Sequence, residues 1–357
     1  MHGDSTLTLF IPDLFGFQST LNHLSVEEKS SLPPFEIPVL EKWLSRGIFE
    51  KRSNQEDSIF SELGLAEFTN KDKPYAALSL LAENISEIEL NKKSYWLRAD
   101  PVNLQPDGDT ALLASHVEID LTQNEADKLV AQINAHFINE PWQLFAFAPH
   151  RWYLRLDNPA DLKTTPLQKV LGEDINQFSP TGNDADYWFK IINELQMLIH
   201  GSNVNFERES RNMWTANSVW LWGGGFFPEL KSNSHYDKIF THNLIYSGIA
   251  NHCGLDVAPL KQHTPFNNAL SQQFKDKNNF VVLDTLSDQL QNRDLYTFVQ
   301  KLNALENDFL NYANSLLLNG TIDTLKLITD AGIFTITKKH LKRWWKRIKP
   351  FVAHNYE

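Results

Sequence analysis

The chain opens with an apolar run, Leu7 to Ile11, closed by Pro12-Asp13, which is the pattern of a buried strand ending in a loop. Pro38 then stands at the head of a helix. Val39, Leu40, Trp43 and Leu44 recur at helical spacing and Gly47 supplies the stop. Residues 50–73 are polar and charged, the pattern of a surface excursion, and Ala76 to Leu81 is a second apolar helical stretch. A different region begins at Ser94-Tyr95-Trp96-Leu97-Arg98. Asp107-Gly108-Asp109 is a turn signal between two apolar segments and predicts a hairpin. Thr122 with Glu125 three residues on is a capping box, heading a helix whose apolar face is Ala126, Leu129, Val130 and Ile133. Arg151 to Leu156 alternates as a strand does, and Trp188 to His200 is an amphipathic helix.

The last third repeats the alternation of elements. Asn217 to Trp222 reads as a strand, and the Gly223-Gly224-Gly225 that follows reads either as a turn leaving the sheet or as backbone able to approach an anion. A helix over Asn243 to Asn251, a strand over Phe280 to Leu283, a long helix from about Leu295 to Leu318 and a strand over Leu325 to Thr329 come next. Strands alternating with helices at both ends predict an α/β fold: a mostly parallel sheet flanked by helices. The middle reads as α+β and as an insertion. The expected division is therefore a core of 1–92 and 213–357 with an inserted α+β cap domain of 93–212.

Composition narrows the function. Across 357 residues, 42% hydrophobic and 22% charged positions are ordinary for a folded protein, and the length predicts either one large domain with an insertion or two domains. A net charge of −11 disfavours binding to phosphate backbones, so nucleic acid is not the expected partner. The single cysteine, Cys253, excludes an internal disulfide, fits a reducing compartment and reads as a small buried hydrophobe. The N-terminus lacks a basic leader and no run reaches the ~18 apolar residues of a membrane span, so a soluble cytoplasmic protein is expected. No Walker loop, G-x-G-x-x-G, G-x-S-x-G, H-E-x-x-H or paired C-x-x-C occurs. His200, on a polar helix stretch with Asn193, Glu194 and Gln196, reads as structural.

One charge anomaly stands out. From Lys338 to Ile348 the chain places Leu341, Trp344, Trp345 and Ile348 at i, i+3, i+4 and i+7, with Lys339, Arg343 and Arg347 in a basic row. Two readings follow: a terminal helix packing its Trp face on the core, or one docking onto an anionic partner or membrane surface.

Several ordered segments together resemble the archaeal-type cofactor-independent phosphoglycerate mutases of the alkaline phosphatase superfamily, and among them a bacterial set of RpfE-type regulatory proteins. They are Ile11-Pro12-Asp13, Pro38 to Leu44, Leu97-Arg98-Ala99-Asp100-Pro101, Asn203-Val204-Asn205 with Arg208, and Ala216 to Gly225. The resemblance implies an alkaline-phosphatase-like core and a site where two divalent ions and a serine carry a phosphoryl group between hydroxyls. It also shows what this chain lacks. The first metal-binding aspartate matches Asp13, but the serine nucleophile falls in Asp72-Lys73-Pro74-Tyr75, where Lys73 stands in its place and Pro74 in that of the aspartate after it. Two histidines of the pattern become Asp288, in Asp284-Thr285-Leu286-Ser287-Asp288, and Ala331, after Asp330. A further proline-histidine-aspartate becomes Pro166-Leu167-Gln168.

Asp13, Asp284, Asp288 and Asp330 are thus candidate ligands. An all-oxygen set suits Mg²⁺ or Ca²⁺ rather than zinc, and Mg²⁺ or Mn²⁺ is the cofactor implied if a metal is held; helix caps and loop positions are the structural alternative. Arg98, Asp100, Arg151, Arg208, Asn217 and Gly224 are candidates for gripping an anionic ligand such as a phosphorylated small molecule, or else for internal ion pairs. The expected function is that of a catalytically degenerate mutase-like protein, in a regulatory or ligand-binding and interaction role; its rival is a metal-dependent phosphotransferase or phosphoglycerate mutase with an altered site.

Overall fold

A computed structural model describes residues 5–18, 21, 24–52, 55–65, 72–83, 93–108, 110–114, 119–171, 173–230, 234–260, 274, 277–291 and 294–354. Its strands are, in chain order, β1 (Thr6–Phe10), β2 (Ile48–Lys51), β3 (Tyr95–Asp107), β4 (Thr110–Ala114), β5 (Trp142–Ala148), β6 (Arg151–Leu156), β7 (Ser218–Gly225), β8 (Lys238–Phe240), β9 (Asp256–Ala258), β10 (Asn279–Val282), β11 (Thr324–Ile328) and β12 (Gly332–Thr337). The chain forms two compact units, Met1–Glu67 with Leu230–Glu357, and Phe68–Glu229. The second starts well before residue 93 and ends after 212, because the helix Tyr75–Leu80 and the strand β7 both belong to it.

The first unit is built on a seven-stranded sheet in the order β2-β12-β11-β1-β10-β8-β9. β11, β1, β10, β8 and β9 run parallel, and β12 and β2 are antiparallel at one edge. The mostly parallel sheet expected from the alternation of elements is therefore present. Leu7 and Leu9 of β1 and Leu325 and Leu327 of β11 pack with Trp43, Phe298 and Leu302 in one apolar core. Residues 50–73 are not only a surface excursion: the helix Gln55–Glu62 delivers Ile59 and Phe60 to the interior, and Leu63 and Leu65 follow them.

The long helix over 295–318 is interrupted. Leu295–Leu305 and Asn311–Asn319 are α-helical, and Glu306–Leu310 between them widens into a π-helical turn. That turn presents the buried Glu306, whose carboxylate accepts from Val39 N–H (2.6 Å) and Leu40 N–H (3.2 Å). The helix Pro38–Arg46 has no side-chain cap of its own at Ile37. Glu306 supplies one from a distant helix, placing negative charge at a positive helix end. Burial pushes its carboxyl up, while the two amides pull it back down.

The second unit is an antiparallel sheet in the order β4-β3-β6-β5, with β7 paired along β3. Its two faces follow from the period of two along β3. Leu97 and Ala99 face the helices Gln123–His136 and Ala185–His200, packing with Leu129, Ile133, Trp188 and Leu195. Trp96 faces the other way, against Ala76 and Leu80 of the helix Tyr75–Leu80 and against Tyr153. The capping box at Thr122 forms as the sequence predicts, with the Thr122 hydroxyl accepting from Glu125 N–H at 3.3 Å. Gly223-Gly224-Gly225 does not leave the sheet as a turn. All three lie within β7, because Tyr75–Leu80 runs so close that a Cβ at Gly225 would stand 2.5 Å from Pro74 Cβ.

Candidate functional site

Three aspartates of the first unit come to the same edge of its sheet. Asp13 follows β1, Asp284 follows β10 and Asp330 follows β11, and these are adjacent parallel strands in register, Phe10 opposite both Val282 and Ile328. The carboxyl ends of parallel strands are where open α/β sheets hold ligands. Asp330 is largely buried, and Phe15 N–H donates to both its carboxylate oxygens (3.0 and 3.1 Å). Burial pushes its carboxyl up to about 6; Phe15 N–H opposes that shift, and the neighbouring Asp13 carboxylate adds to it. Asp13 itself sits at φ 56°, in the left-handed region that costs a non-glycine residue energy. Its carbonyl accepts from Gly16 N–H (3.2 Å), which closes the tight turn that brings Phe15 N–H to Asp330.

Asp284 is committed differently. It accepts from the Asn243 side chain at 3.0 Å, while Asn243 Oδ1 caps the helix Leu244–His252 through Ile245 N–H at 3.0 Å. Asp288 lies in the helix Ser287–Gln291, and its side chain is outside the described residues. Among the described residues no group of three or more His, Cys, Asp or Glu side chains is placed to hold a metal ion. Among the described residues of this edge, Asp13 is the like charge that adds to the upward push on the Asp330 carboxyl.

The second unit gathers Arg98, Asp100 and Arg151 into one network. Arg98 and Asp100 project from the same face of β3, two residues apart, and pair at 2.6 Å (Nη2) and 3.1 Å (Nε), both on Asp100 Oδ1. Asp100 also accepts from Trp222 Nε1 (2.8 Å) and Trp152 N–H (3.2 Å). The strand register puts Tyr153 and Trp222 opposite Arg98 on its two sides, and its guanidinium lies 4.7 Å and 5.2 Å from their ring centres. Burial works against the charge of Arg98, but Asp100, Tyr153 and Glu83 outweigh it and hold the guanidinium above its ordinary value. Arg151 is gripped bidentately by Glu83 (2.6 and 3.1 Å), and Tyr153 OH donates to Glu83 (3.0 Å). Glu83, Tyr153 and Trp222 escaped sequence reasoning. Only the cross-strand register and the end of the helix Tyr75–Leu80 bring them to Arg98.

The remaining candidates stand apart from this network. Arg208 donates to the carbonyls of Trp214 (2.7 Å) and Ile119, and pairs with Glu125 at 2.9 Å, so it ties the helix Asn203–Glu209 to the capping box. Asn217 makes a reciprocal pair of bonds with the backbone of Leu104 (2.7 and 2.9 Å), which continues the β3–β7 ladder. At Gly224 a Cβ would meet Tyr95 Oη at 2.6 Å and Leu97 Cδ2 at 2.8 Å, so its smallness serves packing. Lys73-Pro74 immediately precedes the helix Tyr75–Leu80, in which Ser79 is fully buried. The Ser79 hydroxyl donates to Ala76 O (3.1 Å) and lies 3.1 Å from the Tyr153 hydroxyl.

The terminal segment departs from expectation. The helix ends at Leu341, so Lys339, Arg343, Trp344, Trp345 and Arg347 do not lie on one amphipathic helix. Leu341 is buried, whereas Trp344 is 81% and Trp345 66% exposed. The cause lies downstream. Phe351 is buried among Phe15, Phe17 and Phe35, with ring centres 5.0 to 5.6 Å away. Phe351 N–H donates to Glu41 (2.8 Å) and Lys349 N–H to Ser45 (2.9 Å). These anchors hold residues 347–350 as non-helical chain. Cys253 is only partly buried, its thiol donating to Leu63 O at 3.2 Å, and burial pushes the thiol up to about 11.

No protein-family model matches the chain. The 2,3-bisphosphoglycerate-independent phosphoglycerate mutase of Methanosarcina mazei is 25% identical over 143 residues, which are 38% of this chain and 36% of that protein. The probable enzyme of the same name from Geobacter sulfurreducens is 23% identical over 199 residues, 54% of this chain and 49% of that protein. The chain thus matches half or less of the length of these relatives. Among solved structures, the PH0037 protein of Pyrococcus horikoshii shares the fold with a TM-score of 0.56 at 12% identity, covering 93% of this chain and 86% of that one. Among the described residues no helix is long and apolar enough to cross a membrane. The α/β fold is shared with the PH0037 structure, and at low sequence identity part of the chain is similar to 2,3-bisphosphoglycerate-independent phosphoglycerate mutases.

Proposed function

We propose that this chain is a catalytically degenerate, phosphoglycerate-mutase-like protein that binds a ligand or partner in a regulatory role, of the kind the resemblance to RpfE-type proteins implies. One observation carries the reading. Where the family pattern holds its phosphoryl-carrying serine, this chain has Lys73-Pro74, and the Ser79 hydroxyl nearby is buried and engaged with Ala76 and Tyr153. A covalent carrier needs an exposed nucleophile beside an activating group. Of the residues proposed to grip a phosphorylated small molecule, Arg98, Asp100, Arg208 and Asn217 have protein partners and Gly224 is packed closely. Arg151, with a side chain 42% exposed, is the one that can turn from Glu83 to an incoming anion.

The experiment is a phosphate-exchange and turnover assay with 2- and 3-phosphoglycerate and Mn²⁺ or Mg²⁺. The expected result is no interconversion and no phosphoenzyme. Interconversion that disappears in Asp13→Ala or Asp330→Ala would overturn the reading. It would establish the rival instead, a metal-dependent phosphotransferase with an altered site. The observation favouring that rival is the close pair Asp13 and Asp330 at the carboxyl edge of the sheet, an arrangement that a divalent cation would relieve. With Mg²⁺ or Mn²⁺ between them, these two carboxylates would be its ligands.

A further inference from the structure

The first unit contains a second, unrelated concentration of charge. Between Lys338 and Lys349 the chain carries seven Lys and Arg residues and no acid, in a protein of net charge −11. Four of them, Arg343, Lys346, Arg347 and Lys349, line a cleft of about 410 Å³ with Ser45 and His354. Among the described residues no lining side chain is a carboxylate. Like charges gathered at one place raise the local potential and are stabilised by an anion that bridges them.

The cleft is held by its frame. Lys349 N–H is bonded to Ser45 and Phe351 is fixed in the core, so one wall is pinned to the helix Pro38–Arg46. The Arg343 guanidinium donates to Arg46 O at 3.2 Å, which leaves its other donors to face an acceptor. His354 Nε2 lies 3.3 Å from the Ser45 hydroxyl. Arginine forks and lysine ammonium groups together suit an anion with several oxygens on each centre and more than one centre. We propose that this cleft is a binding site for an anion carrying clustered phosphates. Such phosphates come either from a free polyphosphorylated compound or from a phosphorylated lipid headgroup. The exposed Trp344 and Trp345 beside Arg343 and Lys346 are suited to the interfacial zone of a bilayer in the second case.

The test uses the full chain. Calorimetric titration with sodium tripolyphosphate should give binding that weakens as salt rises from about 50 to about 200 mM. In the Lys346→Glu/Arg347→Glu variant the affinity should fall by about tenfold or more, with unchanged melting temperature, since both side chains are exposed. The neutral variant Lys346→Gln/Arg347→Gln should fall between the two. Flotation with phosphatidylcholine vesicles containing phosphatidylinositol bisphosphate separates the sources: capture there without tripolyphosphate binding assigns the phosphates to a lipid headgroup, and the reverse to a free compound. Absence of both refutes the site. So does a charge-reversed variant that binds like the unaltered chain. Equal capture by phosphatidylserine vesicles, or tighter binding of an oligonucleotide than of tripolyphosphate, would show a diffuse basic surface in place of a phosphate site. These outcomes do not depend on whether the chain turns over phosphoglycerate.

Discussion

Replacing Asp100 by alanine should unfold the second unit or come close to it. Asp100 answers Arg98, whose guanidinium is buried, and accepts from Trp222 Nε1 and Trp152 N–H as well. Removing one partner of a buried ion pair costs about 3–5 kcal/mol, because the other charge stays in a poor solvent. Two buried donors without acceptors add about 1–3 kcal/mol each when nothing replaces the oxygen, though the contributions overlap. A loss of roughly 5 kcal/mol is at or near the whole stability of a domain, typically about 5–15 kcal/mol. With a urea dependence of about 2 kcal/mol per molar, the midpoint should fall by roughly 2.5 M. Tryptophan fluorescence reads the correct unit, since Trp96, Trp142, Trp152, Trp188, Trp214, Trp220 and Trp222 lie in it. Asp100→Asn should cost less, since it keeps an acceptor for Trp222. The double variant Arg98→Met/Asp100→Leu should recover much of the loss, because it removes both buried charges. If Arg98→Ala and Asp100→Ala instead gave small, additive losses in a double-mutant cycle, the pair would not be the coupled element described here.

Asp330→Asn should flatten the pH dependence of stability. The folded carboxyl, pushed up to about 6, holds its proton more tightly than the unfolded one, so its contribution is fully present below about pH 4 and is lost as pH rises through 6. Unfolding free energies measured from pH 4 to 7 in both chains check this, and identical slopes would contradict it. Phe351→Ala should lower stability by about 3–5 kcal/mol, read by urea unfolding of the first unit, since a fully buried ring is removed from between Phe15, Phe17 and Phe35. Trp344→Ala, at an exposed site, should change stability by about 0.5 kcal/mol or less in the same measurement. Gly225→Ala should cost about 1–3 kcal/mol, because the new methyl meets both Pro74 Cβ and the Pro74 backbone, and thermal melting of the second unit will show it.

What could be read from the chain depended on range. The strand at Leu7, the helix begun by Pro38, the capping box at Thr122 and the hairpin at Asp107-Gly108 are written in residues a few positions apart, and they form where the pattern puts them. The side-by-side placement of Arg98 and Asp100 is of the same kind, since alternation alone puts them on one face of a strand. The errors arose where a distant group decides. The C-terminal segment has an intact helical period to Ile348, yet Phe351 and its contacts with Glu41 and Ser45 stop the helix at Leu341. The glycine run has the composition of a turn, yet the close approach of Pro74 and Tyr75 makes it strand. The long helix carries no proline or glycine to mark its π-helical turn, which coincides with Glu306 reaching the start of another helix. In each case the local pattern is sound and a contact hundreds of residues away, or across a sheet, overrides it.

The two clusters differ in how their charges are met, and that difference sorts structure from function. In the second unit each charged side chain of the network has an opposite partner: Arg98 has Asp100, and Arg151 has Glu83. Such a matched set holds strands in register and needs nothing from outside. At the carboxyl edge of the parallel sheet, Asp13 and Asp330 are alike in charge, one strained in its backbone and the other pushed up by burial and by its neighbour. An arrangement that costs energy in isolation and sits where sheets of this kind hold ligands is better explained by what it accepts than by what it stabilises. The basic cleft at Arg343 has the opposite sign and the same logic: four like charges share one cavity with no carboxylate among the described residues of its walls. The edge at Asp13 and Asp330 and the cleft at Arg343 are two places where like charges gather, and binding is to be sought there before the matched network of the second unit.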